Sequence, residues 1–288
     1  MNTLQFFIVA VLISVAICAS TCGQTPVKPT IDKSEEKIVG GHFATPYSWP
    51  WQVVFCTAGW FSTCSLECGG TIIAPGFVMT AGHCVYGSTN APKTFRVKTG
   101  VFDEATQNEN GEVIHRIKAI HLHPKYIPDP DPVWDIAILE LEDTITFNDH
   151  VQPVCLPTHD SDVVVDPNSA WVTGWGTTTE NGNISKKLRQ VKVPFVNATQ
   201  CDSEYPHELQ DNVMICAGKR GIDTCQGDSG GPLVVQSKSG AWFQYGITSF
   251  GSGCAEYRHP GIYSRVTAYC DFIKTTTNGN VTCTDPSN

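Results

Sequence analysis

The sequence has no cluster of lysine or arginine, no CxxC pair followed by a second such pair, and no HExxH. Acidic residues outnumber basic ones 28 to 19, for a formal net charge of -9. A chain so charged is poorly matched to nucleic acid or to an anionic membrane surface. The missing cysteine spacing argues against a zinc-ribbon type of site, and the missing HExxH against a zinc peptidase. No internal repeat is visible and long amphipathic helices are scarce. Past the first twenty residues no apolar run is long enough to cross a bilayer, which needs about 20 residues.

What is present points outward from the cell. The opening MNTLQFFIVAVLISVAICAS carries an apolar run from Phe6 to Ile17 and ends in small residues. It reads as a secretory signal peptide over residues 1–20, although the usual positive n-region is missing. Thirteen cysteines occur, and Cys18 falls in that segment, which leaves an even number for disulfides in an oxidising compartment. Sequons at Asn183, Asn197 and Asn280 predict surface positions and fit a secreted glycoprotein. The polar stretch 21–37, TCGQTPVKPTIDKSEEK, has no periodicity and reads as a propeptide.

From Ile38 onward, short β-branched and aromatic runs alternate with Gly, Pro and Asn turns. Examples are WQVVF (51–55), GGTII (69–73), WDIAILEL (134–141), KVPFV (192–196) and FQYGITSF (243–250). Such spacing, without long intervening helices, predicts an all-β protein. A loop-like connector, 151–169, splits the chain into two similar halves. We therefore expect two β-barrels, at about 38–150 and 165–265, within one domain over 38–288. The segment VTAYCDFIKTT (266–276) has apolar residues at helical spacing and predicts a C-terminal helix.

The chemistry concentrates in three stretches. In TCQGDSGGPL (224–233) a single serine, Ser229, sits among three glycines and follows Asp228. Glycines allow sharp turns and close backbone approach, so the pattern suggests a hydroxyl displayed beside exposed N–H groups. A nucleophilic serine needs a base and a group that orients the base. His83 in TAGHC (80–84) is the candidate base. Asp135 opens an otherwise apolar stretch, where an unpaired carboxylate would cost several kcal/mol, and an imidazole N–H would relieve it.

IVGG (38–41), TAGHC, DIAIL (135–139) and GDSGGP (227–232), in this order and spacing, resemble the chymotrypsin-like, trypsin-family serine proteases. The resemblance runs from Ile38 to about residue 276. It implies two six-stranded antiparallel β-barrels with the active site between them, and a Ser229–His83–Asp135 triad. It also implies an oxyanion hole from the N–H groups of Gly227 and Ser229, in which one donor is worth roughly 3–4 kcal/mol. By the same resemblance, cleavage after Lys37 frees the amine of Ile38 to pair with Asp228. Asp223 matches the acidic floor of a trypsin-like pocket, with Gly251 and Gly261 as its walls and Gln226 as a further substrate-binding residue. Cleavage after Arg or Lys follows, because apolar side chains would leave that charge unpaired. Cys68–Cys84, Cys201–Cys216, Cys225–Cys254 and Cys22–Cys155 match family pairs. Cys56–Cys64 and Cys270–Cys283 are what remains.

Departures from the family are specific. Ala170 and Val235 stand where a frequent bridge is missing at both ends. Gly82 replaces the usual alanine before the histidine, which suggests a looser loop, and Phe250 replaces a tryptophan. Val101 stands where the calcium loop has a glutamate, with Glu104, Glu109 and Glu112 nearby; His121 and His123 lack a third ligand. We expect no cofactor and no metal. The expected partners are protein or peptide substrates, an activating tryptic protease or the protein itself, and protein inhibitors; the chain reads as a monomer that engages neither nucleic acid nor membrane. The alternatives are a catalytically silent homologue acting as a binding module, and a protease of chymotrypsin- or elastase-like preference.

Overall fold

In the computed structural model the described residues are 22–31, 41–59, 64–106, 108–109, 111–161, 167, 169–177, 182–206, 208–219, 227–251 and 260–286. After a two-residue strand β1 (His42–Phe43), six strands form the first unit: β2 (Gln52–Ala58), β3 (Cys64–Ala74), β4 (Phe77–Thr80), β5 (Phe95–Thr99), β6 (Val113–Leu122) and β7 (Ala137–Leu141). They close into an antiparallel barrel in the order β2-β3-β4-β7-β6-β5. The second unit holds β8 (Ala170–Gly174), β9 (Arg189–Val193), β10 (Phe195–Val196), β11 (Met214–Ala217), β12 (Pro232–Gln236), β13 (Trp242–Phe250) and β14 (Gly261–Arg265). With β1 added at one edge they order as β1-β9-β8-β12-β13-β14-β11-β10. Six longer strands carry this sheet. The two-residue β1 and β10 extend its edges, so among the described residues it counts eight strands and is an open sheet rather than the second closed barrel expected.

Both faces of the central strands β8, β12, β13, β14 and β11 are largely buried, which explains their near-continuous apolar runs. Leu233, Val235, Phe243, Tyr245 and Tyr263 point into the sheet's own interior. Their neighbours Val234, Trp242 and Ile262 join the larger core that includes Val53, Phe55, Ile72 and Ile138 of the barrel. The period-2 alternation of a strand thus feeds two cores at once. Trp49, just before β2, meets Trp242 edge-on at 4.8 Å and ties the units together. Ala170 and Val235 are cross-strand partners, both buried, so an apolar contact stands where the family bridge is missing.

Several boundaries differ from those read in the sequence. The run 134–141 becomes strand only from Ala137, because Trp134 adopts a left-handed φ of 56° that no continuing strand tolerates. KVPFV is divided at Pro194, which lacks the N–H a ladder needs. A short helix α1 (Ala198–Glu204) was not expected; Asn197 caps it, its side-chain oxygen accepting from Gln200 N at 2.9 Å. The C-terminal segment starts as a 3-10 turn (Val266–Tyr269) and continues as α2 (Cys270–Thr276).

Among the described residues five disulfides are closed: Cys22–Cys155, Cys56–Cys64, Cys68–Cys84, Cys201–Cys216 and Cys270–Cys283. Cys225 and Cys254 lie outside the described residues, as do residues 1–21 with the expected signal segment. Among the described residues no helix is long and apolar enough to cross a membrane.

Candidate active site

Asp135 is 1% exposed, at the start of the turn that leads into β7. The positive φ of Trp134 is held by packing: its ring stacks on His123 at 4.9 Å and meets Tyr269 edge-on. The carboxylate beside it is fully engaged. Its Oδ1 accepts from the backbone N–H of His83 at 2.7 Å, and its Oδ2 lies 2.8 Å from His83 Nδ1 and accepts from Ser249 Oγ at 2.5 Å. Ser264 Oγ donates to the Asp135 carbonyl at 2.7 Å.

An ionised carboxylate only accepts, so this geometry places the proton of a neutral His83 on Nδ1 and leaves Nε2 as a base. Burial opposes a charge on the imidazole, but the hydrogen bond and negative charge of Asp135 outweigh it and raise the pKa above 6.5. The ring itself is partly open, with 29% side-chain exposure. Gly82 does not loosen this loop. A β-carbon there would sit 2.9 Å from Leu122, 3.0 Å from Tyr126 and 3.1 Å from Asp135 Oδ1, so the missing side chain lets three groups close in.

Ser229 is half-buried in a turn where β12 begins. Gly227 and Gly230 on either side take φ of 98° and 78°, a conformation that excludes most side chains. The turn is pinned to both units: Gly69 N donates to the Ser229 carbonyl at 2.8 Å and Gly230 N to Thr248 at 2.8 Å. Gly230 also presses on the barrel, since a β-carbon there would lie 2.3 Å from Thr80 Oγ1. Thr80 stands three residues before His83, and Cys68–Cys84 brackets that histidine. The barrel end carrying His83 and the turn carrying Ser229 are therefore locked together.

Asp228 points the other way, accepting from Gly176 N at 2.8 Å. A β-carbon on Gly174 or Gly176 would fall 2.0 Å or 2.4 Å from its carboxylate oxygens, so the G-W-G triplet at 174–176 is the cradle of this acid. Sequence reading missed that role, and missed Ser249 and Ser264; the G-W-G spacing was the available signal. Gly251 and Gly261 are brought together, a β-carbon on Gly251 lying 3.7 Å from Gly261 Cα. Phe250 beside them is half-buried and meets Tyr205 edge-on at 6.5 Å. Asp223, Gln226, Lys37 and Ile38 lie outside the described residues.

Residues 38–273 match the sequence profile of the Trypsin family. The chain belongs to the trypsin family of serine proteases. It is 37% identical to chymotrypsin-C of Mus musculus over 274 residues, covering 92% of this chain and 97% of that protein. To ovochymase of Halocynthia roretzi it is 38% identical over 262 residues, 90% of this chain but only 16% of that protein. With the serine proteinase stubble of Drosophila melanogaster it shares 36% over 268 residues, 90% of this chain and 33% of that protein.

Trypsin-family members often hold calcium in the loop after β5, and here the residues do not fit an ion. Glu109 accepts from Tyr47 through Oε1 and from the N–H groups of Phe102 and Asp103 through Oε2. Burial and that carboxylate push the Tyr47 phenol up to about 12, which keeps it a donor. Glu112 faces the Lys98 ammonium at 3.3 Å and accepts from Glu109 N with its other oxygen. The Lys98 and Glu112 side chains are 6% and 4% exposed. Every carboxylate oxygen of the pair has a donor, and a cation is already built in. Cys68, His83 and Cys84 crowd within 4.8 Å, but the cysteines are spent on their disulfide. His121 pairs with Glu140, while His123 is enclosed by Trp134, Tyr269 and Phe272, so these two histidines do not form a common site.

The same barrel contains a second imidazole–aspartate pair. His115 Nδ1 lies 2.8 Å from Asp143 Oδ2, and its Nε2 lies 3.1 Å from Thr99 Oγ1.

Proposed function

We propose that the protein is a secreted serine endopeptidase, made as a zymogen, that cleaves peptide bonds after Arg or Lys. The observation that carries the reading is the Asp135–His83 pair, locked beside the glycine-flanked Ser229. Ser229 Oγ attacks the scissile carbonyl carbon while His83 Nε2 takes its proton. The oxyanion forms at the N–H groups of Gly227 and Ser229. The C–N bond then breaks as His83 returns the proton to the leaving amine, and water hydrolyses the acyl-enzyme by the same route. Asp135 holds the imidazole in its tautomer and stabilises the cation that forms.

Residues 1–20 act as signal and 21–37 as propeptide. Cutting Lys37–Ile38 frees an amine that pairs with Asp228, and the two glycines beneath that carboxylate leave room for the exchange. Asp223 supplies the floor of the primary pocket and selects a cationic side chain, with Gln226 as a further substrate-binding residue and Gly251 and Gly261 as open walls. The disulfides and the exposed Asn183, Asn197 and Asn280 suit an extracellular glycoprotein. Substrates and inhibitors are proteins or peptides, and the protein works as a monomer without a cofactor. The identity to a chymotrypsin-C favours a second reading, in which the same machinery takes an apolar residue before the cut.

The test is hydrolysis of peptidyl-Arg, peptidyl-Phe and peptidyl-Leu substrates before and after verified cleavage at Lys37–Ile38. Arg turnover appearing only after the cut is expected. Phe or Leu turnover instead would select the second reading, and silence on all three would return the chain to a binding role.

A further inference from the structure

The β2–β3 hairpin contains an irregularity next to the site. Phe55 pairs with Cys68 and Cys56 with Leu66, so Glu67 is an extra residue on β3 with no partner across the ladder. A bulge of this kind bends a strand and re-aims one side chain. Here the re-aimed group is an exposed carboxylate, and it is not left to wander: Thr57 Oγ1 donates to Glu67 Oε1 at 2.6 Å. The Cys56–Cys64 disulfide clamps the same hairpin from the other side. Among the described residues Glu67 has no ion-pair partner.

Its place in the fold gives that charge a use. Cys68 follows it directly, and the sulfur of Cys68 lies within 4.8 Å of a His83 ring nitrogen. Two residues on, Gly69 N holds the Ser229 carbonyl. A strand rises about 3.3 Å per residue, so Glu67 stands within a few residues' reach of the reacting bond. If His83 protonates the leaving amine, the departing half of the substrate must run along the His83 side, past the Cys68–Cys84 disulfide. Glu67 is the charged residue that directly precedes this disulfide in the chain.

We propose that Glu67, positioned by Thr57 and the bulge, is a specificity-determining residue that selects substrates with Lys or Arg in the first three positions after the scissile bond and disfavours Asp or Glu there. The inference rests on the triad reading above. It names the substrate class as chains with a cationic segment following the cleaved bond, a feature independent of the residue preceding that bond.

The experiment uses the full chain cleaved at Lys37–Ile38 and internally quenched peptides. They carry the preceding residue that the substrate test selects, and Ala, Lys or Glu in turn at each of the three following positions. At one position or more the wild type should cleave the Lys peptide roughly tenfold faster in kcat/KM than the Glu peptide, a ratio that shrinks as salt screens it. E67A should bring the ratio to about one and E67K should invert it. T57V, which keeps the charge but frees it, should give an intermediate ratio and supplies the test should the Glu67 variants misfold. A Lys-to-Glu ratio unchanged in E67A or T57V, or insensitive to salt, overturns the proposal. Failure of the wild type to cleave even the all-Ala peptide overturns the triad reading instead, and this inference with it.

Discussion

Two histidines of one barrel face aspartates at the same Nδ1 to Oδ2 distance of 2.8 Å, yet the pairs are turned inside out. In His83–Asp135 the carboxylate is sealed, at 1% side-chain exposure, and the imidazole is open, at 29%. In His115–Asp143 the imidazole is sealed at 3% and the carboxylate is open at 53%. The outer nitrogen of His115 meets Thr99, itself buried, so the proton on that ring has nowhere productive to go. On the proposed triad, what separates the two pairs is which partner is buried: the acid in His83–Asp135, the base in His115–Asp143. Distance alone does not distinguish them.

On the proposed triad, the largest expected effect comes from removing the nucleophile. Ser229→Ala should lower kcat by roughly six orders of magnitude, read by long-time peptide hydrolysis with Tm held as a check on folding. Asp135→Asn should cost about four orders near neutral pH. The pH dependence sharpens that case. In the proposed mechanism the neutral imidazole is the active form, so wild-type activity should fall as pH drops through a pKa raised above 6.5. Taking the negative charge away leaves burial to act by itself, so the acid limb of kcat/KM should move to lower pH in the variant.

A second buried carboxylate, Glu112, tests the role of a fixed cation. Lys98→Met leaves Glu112 without its cation and should cost about 3–5 kcal/mol, or about ten degrees in Tm by scanning calorimetry, with turnover per folded molecule preserved. Calcium or a chelator should leave the wild-type Tm in place; a chelator-induced fall would show that Lys98 does not replace an ion. The smallest effect belongs to the inverted pair. Asp143→Asn removes a partner exposed to solvent and should shift stability within about 1 kcal/mol and leave kcat unchanged, as peptide assays and thermal melts would show. A large loss of activity there would erase the distinction between the two pairs.

Much of this organisation was legible in the residues, because period-2 apolar runs and glycine-rich turns are local signals. The β-architecture and its two halves could be read that way, whereas the stretches carrying His83, Asp135 and Ser229 stood out through motifs that resemble a known family. What could not be read depended on three-dimensional closure. Trp134 delays the start of the strand that its sequence suggests, because His123 and Tyr269 stabilise its left-handed backbone. Gly82 looked like a loosened alanine until its neighbours Leu122 and Tyr126 were known. Ser249 and Ser264 lie over a hundred residues from the aspartate they hold. The edge strands β1 and β10 are two residues long, too short for any periodicity to mark. The cradle of Asp228 was partly visible in the G-W-G triplet, but only the approach distances give the spacing its meaning.

Cys22–Cys155 makes the first half of the molecule a covalent ring. Gly23 is woven into it, its N–H donating to Pro153 and its carbonyl accepting from Trp242, while Gln190 holds the Thr30 carbonyl at 2.6 Å. Opening a ring at one peptide bond does not divide it. Any single cut between these cysteines therefore changes the number of chain ends without changing the number of molecules: non-reducing electrophoresis would show one band, and a reductant would release the piece. The segment before the cut stays a permanent passenger on the surface of the second sheet, at a local concentration no dilution can lower.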